Sequence, residues 1–177
     1  MRRLLLLRHG KADRHSAGGD RERPLTRRGL EDARRVGEHL AQRGLTPQLA
    51  VASNAKRARQ TLEQALEAFP EHVAHLIENT IYNATADHLL EILRQSPDRA
   101  ETLLVVGHNP GFSELAIALA GSGDAEALQR IRLKYPTAAL AVLEFPLESW
   151  AKASFGGAKL AAFLTPAELR GEDDDPE

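Results

Sequence analysis

The stretch Leu4-Leu5-Leu6-Leu7-Arg8-His9-Gly10 joins four consecutive apolar residues to a short polar segment that ends in glycine. An apolar run of this length is typical of a strand that is buried on both faces of a parallel sheet. The pattern occurs a second time, where the apolar residues 103–106 lead into Gly107-His108-Asn109-Pro110. Ligands bind beyond the carboxyl ends of parallel strands. The two stretches therefore predict a parallel sheet with two histidines at the edge where ligands bind.

Apolar runs of strand length alternate with segments of helical period along most of the chain. Further strands are predicted at 49–52 and 73–77, and helices at 26–43, 56–69, 85–95 and 110–121. Thr26 and Thr85 are suited to cap the first and third of these helices. The alternation predicts an α/β fold with three layers (α/β/α), in which helices cover both faces of a mostly parallel sheet.

The last third of the chain has a different pattern. Residues 138–145 and 159–164 are two apolar runs that are separated by Gly156-Gly157, with no helix-length crossover between them. They predict an antiparallel C-terminal hairpin at the edge of the sheet. We expect a single domain over residues 1–165 and an acidic, disordered tail over residues 166–177.

The composition excludes several classes of function. The chain has 177 residues, of which 42% are apolar and none is cysteine, so it can form a core but no disulfide, thiolate nucleophile or cysteine-based metal site. The apolar run at 4–7 is too short for a signal peptide or a membrane span, which predicts a cytoplasmic protein with no membrane partner. Only 5% of the residues are aromatic, and no aromatic platform accompanies the basic segment, so we do not expect nucleic acid as a partner.

Positive charge is concentrated in the first third of the chain. Residues 1–60 contain fifteen Lys and Arg residues against six Asp and Glu residues, although the whole chain has a net charge of −2. Arg57 lies in the first turn of a predicted helix, where a cation is unfavourable unless an anion shares the helix N-terminus. Together with Arg8 and the two histidines, Arg57 predicts a pocket for an oxyanion. Phosphate is the oxyanion that suits paired arginines best.

Four motifs resemble those of the histidine phosphatase superfamily, which has the phosphoglycerate-mutase-like fold. They are Leu-Arg-His-Gly at 7–10, Arg-Pro-Leu-Thr-x-x-Gly at 23–29, Ser53 followed by Arg57-Ala58-x-Gln60-Thr61, and Val-Gly-His-Asn-Pro-Gly at 106–111. The short chain and the Gly-His-Asn-Pro motif are similar to the SixA branch of phosphohistidine phosphatases. The resemblance covers about residues 3–165.

The resemblance implies a role for each matched residue. His9 would be the nucleophile that forms a phosphohistidine intermediate. Arg8, Arg57 and His108 would hold the phosphoryl oxygens and neutralise charge in the transition state. Because these cations supply the charge, the resemblance implies neither a metal nor another cofactor. Further candidates for phosphate binding are Gly10, Asn54 and Asn109.

The sequence contains no evident general acid. Larger members of the superfamily use a carboxylate, whereas the residue after His108 here is Asn109. Glu78 and Asp13 are the candidate carboxylates. An alkoxide leaving group needs a proton from the enzyme, whereas the imidazole of a phosphohistidine leaves with less help. This difference favours a phosphohistidine substrate.

We therefore expect a phosphatase that removes phosphate from phosphohistidine in a partner protein, such as a histidine phosphotransfer domain. Two alternatives stay open: a phosphatase of small phosphomonoesters or phosphoanhydrides that uses the same site, and a catalytically quiet module that binds phosphoproteins. The segments 10–24 and 77–85 are too short for a large cap, which favours a substrate presented on a protein surface. Arg14, Arg21 and Arg23 are candidates for docking an acidic partner.

Overall fold

A seven-stranded sheet runs through the computed structural model, which describes residues 1–172. Its strands are β1 (Arg2–Arg8), β2 (Leu49–Ala52), β3 (His75–Ile77), β4 (Thr102–Gly107), β5 (Ala120–Gly123), β6 (Leu140–Phe145) and β7 (Ala158–Leu164). They lie in the order β3-β2-β4-β1-β6-β7-β5. The first four of these neighbours are parallel to one another, and the helices between them supply the crossover connections that parallel pairing requires. The predicted α/β class with a mostly parallel sheet is confirmed.

The C-terminal strands form the predicted antiparallel hairpin, but this hairpin does not lie at the edge of the sheet. β6 pairs antiparallel with β1, β7 pairs antiparallel with β6, and the edge position belongs to β5, which is parallel to β7. β5 has the sequence Ala-Gly-Ser-Gly, so it lacks the apolar alternation that marks a strand in a sequence. Its small residues permit close packing instead: a Cβ atom on Gly121 would lie 2.0 Å from the carbonyl oxygen of Gly156.

Six α-helices cover the sheet within the described residues: α1 (Arg27–Gln42), α2 (Lys56–Leu66), α3 (Ala86–Arg94), α4 (Gly111–Leu119), α5 (Ala125–Leu133) and α6 (Pro166–Leu169). Thr26 and Thr85 cap α1 and α3 through their side chains, as predicted. α5 was not predicted, although Asp124 caps it in the same way. The longest helix has 16 residues, and none of the six is both long and apolar enough to cross a membrane.

Alternate residues of β1 face opposite helical layers. Leu4 and Leu6 pack with side chains from α3, α4 and α5, whereas Leu5 and Leu7 pack with side chains from α1 and α2. All four leucines are fully buried, so the predicted three-layer arrangement is confirmed. β1 lies at the middle of the sheet, and its carboxyl end therefore opens at the centre of the sheet edge.

The C-terminal segment differs from the prediction. α6 begins with a Thr-Glu capping box, a helix-start signal that the sequence analysis overlooked. Arg170 then binds the buried carboxylate of Asp32 on α1, with 2.7 Å between Nη1 and Oδ1. The predicted tail therefore does not begin at residue 166, because these contacts attach the segment to the domain. Residues 173–177 of the predicted tail lie outside the described residues.

Candidate active site

The carboxyl ends of β1 and β4 bring the two predicted histidines together. Arg8 pairs with Gly107 in the parallel ladder, so His9 and His108 follow side by side, with 5.2 Å between their ring centroids. Both rings border a cavity of about 320 Å³. Its lining residues are Arg8, His9, Lys11, Ala12, Arg23, Arg57, Asn83, His108, Asn109 and Thr137. Within residues 1–172 this lining contains four cationic side chains and no carboxylate, so the cavity is suited to an anion.

The orientation of His9 leaves one ring nitrogen available for chemistry. Its Nδ1 lies 2.7 Å from the carbonyl oxygen of Gly10. Because a carbonyl can only accept, Nδ1 carries the proton and Nε2 holds the lone pair. Burial lowers the pKa of His9 to about 3, and the positive charges of Arg8 and Arg57 act in the same direction. The ring is therefore neutral near pH 7, as a nucleophile must be.

His108 is held by a hydroxyl group. Its Nε2 lies 2.7 Å from Oγ of Ser53, and the same Oγ accepts a hydrogen bond from the backbone N–H of Ala55 at 3.2 Å. Ser53 can therefore donate its proton to Nε2, which makes Nδ1 the protonated nitrogen. Nδ1 is buried and has no hydrogen-bond partner among the described residues. Burial, followed by the charge of Arg57, lowers the pKa of His108 to about 4, so a neutral ring offers one N–H donor.

Two arginines complete the site. Arg8 ends β1, and its Nη1 donates to the carbonyl oxygen of Tyr135 at 3.0 Å. Arg57 lies in the first turn of α2 and is only 5% exposed. Its Nε is buried and finds no hydrogen-bond acceptor within residues 1–172. Unsatisfied buried donors are rare and costly, and two of them, on Arg57 and His108, lie beside this cavity, where an anion could accept from both.

Comparison with known proteins agrees with this geometry. Residues 4–83 match the model of the histidine phosphatase superfamily (branch 1). The structure of SixA from Agrobacterium tumefaciens is similar to this chain with a TM-score of 0.78 and 28% identity, over 93% of this chain and 98% of that one. SixA from Nakamurella multipartitia has a TM-score of 0.76 and 30% identity, over 93% of this chain and 96% of that one. The chain belongs to the histidine phosphatase superfamily.

The SixA structures support the assignment of this histidine phosphatase to the SixA-type branch, and curated relatives match it over most of its length. An uncharacterized protein from Mycobacterium tuberculosis is 36% identical over 162 residues, which cover 90% of this chain and 99% of that protein. An uncharacterized chloroplastic protein from Arabidopsis thaliana is 34% identical, and the match covers 93% of this chain and 78% of that protein. The resemblance seen in four motifs is thus confirmed over nearly the whole chain, and membership of the superfamily supports a phosphatase activity.

Asp20 is a residue of this histidine phosphatase's site that the sequence analysis missed. Its Oδ2 accepts from Nη2 of Arg57 at 3.1 Å, and its Oδ1 accepts from Nε of Arg23 at 3.0 Å. The hydroxyl of Tyr82 also donates to Oδ2. The hydrogen bond from Tyr82, with the charge of Arg57, lowers the pKa of Asp20 to about 2. Arg57 is 37 residues from Asp20 in the sequence and Tyr82 is 62 residues away, so no local pattern could reveal these contacts.

Arg21 and Arg23, the arginines beside Asp20, contact other side chains near the site. Arg23 binds Asp20, and the guanidinium of Arg21 lies over the ring of Tyr82, 4.4 Å from its centroid. The Tyr82 ring in turn meets the ring of His108 edge-on, with 5.5 Å between centroids. Arg23 lines the cavity, and Arg21 is held against the ring of Tyr82, which weakens the docking role expected for them.

Two of the three further candidates for phosphate binding, Asn109 and Gly10, have contacts that support the scaffold. Asn109 lines the cavity, but its Nδ2 donates to the carbonyl of Tyr135 at 2.8 Å and its Oδ1 accepts from a backbone N–H of α4. Gly10 is required by packing, because a Cβ atom there would lie 2.7 Å from the carbonyl oxygen of Gly29. Asn54 does not line the cavity. The sequence analysis identified the motifs correctly, but packing explains Gly10 better than contact with phosphate.

Neither candidate acid lines the cavity. Glu78 caps the short turn Asn79–Ile81, and its Oε1 accepts hydrogen bonds from the backbone and the hydroxyl of Thr80 at 3.1 and 2.8 Å. These bonds lower the pKa of Glu78, so its carboxylate is ionised near pH 7 and has no proton to donate. Asp13 is exposed on the loop that follows β1. The structure therefore does not bring either carboxylate to His9.

Proposed function

We propose that this chain is a metal-independent phosphatase that removes the phosphoryl group from phosphohistidine in a partner protein, through a phosphohistidine formed on its own His9. One observation carries the proposal. The bond from Nδ1 of His9 to the Gly10 carbonyl fixes the tautomer, so that the nucleophilic Nε2 stands in a cavity lined by four cationic side chains.

Two successive displacements account for the hydrolysis. In the first, the lone pair of His9 Nε2 forms a bond to phosphorus while the bond from phosphorus to the substrate's imidazole nitrogen breaks. The leaving nitrogen takes a proton from solvent. In the second, water attacks phosphorus, the bond to Nε2 breaks, and the water gives up a proton as inorganic phosphate forms. One water is consumed, and His9 returns to its neutral form.

The N–H donors around His9 lower the barrier by meeting the charge of the phosphoryl oxygens. Arg57 and His108 each have a buried N–H without a partner in residues 1–172, and Arg8 ends the strand that carries His9. Because the protein fixes these groups in advance, their bonds to the transition state require little reorganisation. We expect Arg8→Ala, Arg57→Ala and His108→Ala each to lower kcat by about a hundredfold or more, as loss of one such donor does in other enzymes.

The substrate class follows from the leaving group. The described lining of the cavity has no carboxylate, and both Asp20 and Glu78 have lowered pKa values, so neither is a proton donor at neutral pH. An alkyl phosphate would have to expel an alkoxide without such a donor, whereas phosphohistidine expels an imidazole. This comparison favours phosphohistidine over small phosphomonoesters.

Turnover of three substrates tests the proposal: a histidine phosphotransfer domain that carries phosphohistidine, p-nitrophenyl phosphate, and an alkyl phosphate. At neutral pH we expect kcat/KM to fall in that order. The phosphohistidine domain is activated by its P–N bond, and the alkoxide of the alkyl phosphate is a more basic leaving group than p-nitrophenolate. Phosphate release is measured with wild type and with His9→Ala, which should be inactive on all three.

Two results would contradict the proposal. A kcat/KM on the alkyl phosphate that equals or exceeds the value on phosphohistidine would assign the chain to small phosphomonoesters and would require a general acid. Binding of inorganic phosphate or vanadate at the His9 cavity without turnover of any of the three substrates would instead make the chain a phosphoprotein-binding module.

A further inference from the structure

A second cavity, of about 280 Å³, lies beside the active site. We call it the basic cavity, because five of its lining side chains are basic: Lys11, Arg28, Arg130, Lys134 and Arg170. Lys11 and Thr137 line both this cavity and the cavity of His9. A ligand whose phosphoryl group lies at His9 can therefore extend into the basic cavity past this shared wall.

The basic cavity has more positive charge than its own carboxylates neutralise. Arg170 is paired with Asp32 at 2.7 Å, and Arg130 is paired with Glu168. By contrast, Lys11 and Arg28 are exposed and form no ion pair with any residue in 1–172. These two cations are therefore available to pair with an anion from outside the chain.

An exposed leucine distinguishes the basic cavity from a simple anion site. Leu133, at the end of α5, is 77% exposed, which is more than any other large apolar residue in the described chain. It lines the basic cavity together with Pro136 and Pro166. A free anion would need only the cations. Apolar and cationic groups side by side fit a protein segment that carries both a carboxylate and an apolar side chain.

We propose that the basic cavity docks an acidic segment of the phosphorylated partner, with a carboxylate at Arg28 and Lys11 and an apolar side chain on Leu133. The inference rests on the proposed function and names the partner's chemistry. It also moves the expected docking charge from Arg21 and Arg23, which contact Tyr82 and Asp20, to Arg28 and Lys11.

Two synthetic phosphohistidine peptides test this docking. One has Glu and Leu residues beside the phosphohistidine, and the other has Gln and Ser at the same positions. The test variant is the double substitution Arg28→Gln with Leu133→Ser. The matched control is Arg27→Gln with Leu76→Ser, because Arg27 neighbours Arg28 on α1 and Leu76 is 58% exposed on β3, and neither lines the basic cavity.

We expect the test variant to lower kcat/KM on the acidic peptide about tenfold at low ionic strength, with a smaller loss at high ionic strength. On the neutral peptide, kcat/KM of the same variant should stay within about twofold of the wild-type value. The control variant should keep kcat/KM within about twofold of wild type on both peptides. Equal losses on both peptides, or no loss on either, would overturn the docking and leave the proposed hydrolysis intact.

A binding measurement separates this inference from the proposed function. Fluorescence polarisation with the unphosphorylated acidic peptide reports docking without any chemistry. If no phosphopeptide is hydrolysed but peptide binding still falls about tenfold in the test variant, the docking is supported and the proposed function fails. Displacement of the bound peptide by an equal concentration of succinate would assign the basic cavity to small free anions and would overturn the docking.

Discussion

Asp20→Asn tests how the loop after β1 holds Arg57 in the active site. The substitution keeps the shape of the side chain and removes the charge that meets Arg57 at 3.1 Å and Arg23 at 3.0 Å. A hydrogen bond to a charged group contributes about 1.5–3 kcal/mol to stability. The Asp20 side chain is 50% exposed, so solvent screening reduces this contribution. We expect the free energy of unfolding to fall by about 1–2 kcal/mol, which lowers Tm by about 3–6 °C for a chain of this size.

The pH dependence of that loss provides an independent check. The pKa of Asp20 is lowered to about 2 in the folded protein, whereas it is about 3.9 in an unfolded chain. A lowered carboxyl pKa contributes stability that is fully present above about pH 4 and is lost as the pH falls toward 2. The difference in Tm between wild type and Asp20→Asn should therefore be constant from pH 5 to 7 and narrow below pH 4.

Calorimetric unfolding and phosphatase assays measure the two consequences of this substitution. The control is Asp13→Asn, since Asp13 is an exposed carboxylate of the same loop whose side chain has no ion pair among residues 1–172. We expect the free energy of unfolding of the control to stay within about 0.5 kcal/mol of wild type. Asp20→Asn should lower kcat/KM about tenfold, because Arg57 loses a carboxylate that holds it in position. If Asp20→Asn behaves like Asp13→Asn in both assays, the reasoning about Asp20 is wrong.

Three further substitutions or measurements follow from the site. Ser53→Ala removes the hydroxyl that lies 2.7 Å from Nε2 of His108, so kcat should fall at least about tenfold in single-turnover assays; an unchanged kcat would show that Ser53 does not orient the ring. Because the pKa of His9 is about 3 and that of His108 about 4, both rings stay neutral as the pH falls from 7 to 5, and kcat/KM should show no titration centred near pH 6.5 that belongs to the free enzyme. Gly29→Ala places a Cβ atom 2.1 Å from the carbonyl oxygen of Lys11, and urea unfolding should show a loss of about 2 kcal/mol or more; a loss below 0.5 kcal/mol, within the range of ordinary surface substitutions, would contradict the packing argument.

The parts of the fold and the site that depend on short stretches of sequence were predictable. Residues 4–7 and 103–106 each form an uninterrupted apolar run, and parallel strands necessarily end at one edge of the sheet. For this reason the sequence alone predicted that His9 and His108 lie close together and that Arg57 lies at the start of a nearby helix. The capping residues of α1 and α3 were recognisable for a similar reason, since a cap acts over only three residues.

Other features depend on contacts that are distant in sequence. Asp20 belongs to the site through its hydrogen bonds with Arg57 and Tyr82. No residue near Asp20 in the sequence indicates these contacts. β5 was missed because it is a strand of small residues, held by close packing rather than by apolar alternation. α5 and α6 did have start signals, at Asp124 and in a capping box. α5 was missed because only Ala127 and Ile131 of its residues are buried, which leaves a weak apolar stripe, and α6 was missed because it has only four residues.

Trapping the covalent intermediate shows whether His9 is phosphorylated at Nε2 during turnover. A labelled phosphohistidine donor is mixed rapidly with the enzyme, and the reaction is quenched in alkali, in which phosphohistidine is stable. Peptide mapping then locates the label, and ³¹P NMR of the phosphoenzyme distinguishes the two ring nitrogens. We expect an acid-labile label on His9, attached at Nε2 because Nδ1 is bound to the Gly10 carbonyl, and no label in His9→Ala. A label on Nδ1, on another residue, or persisting in His9→Ala would contradict this expectation.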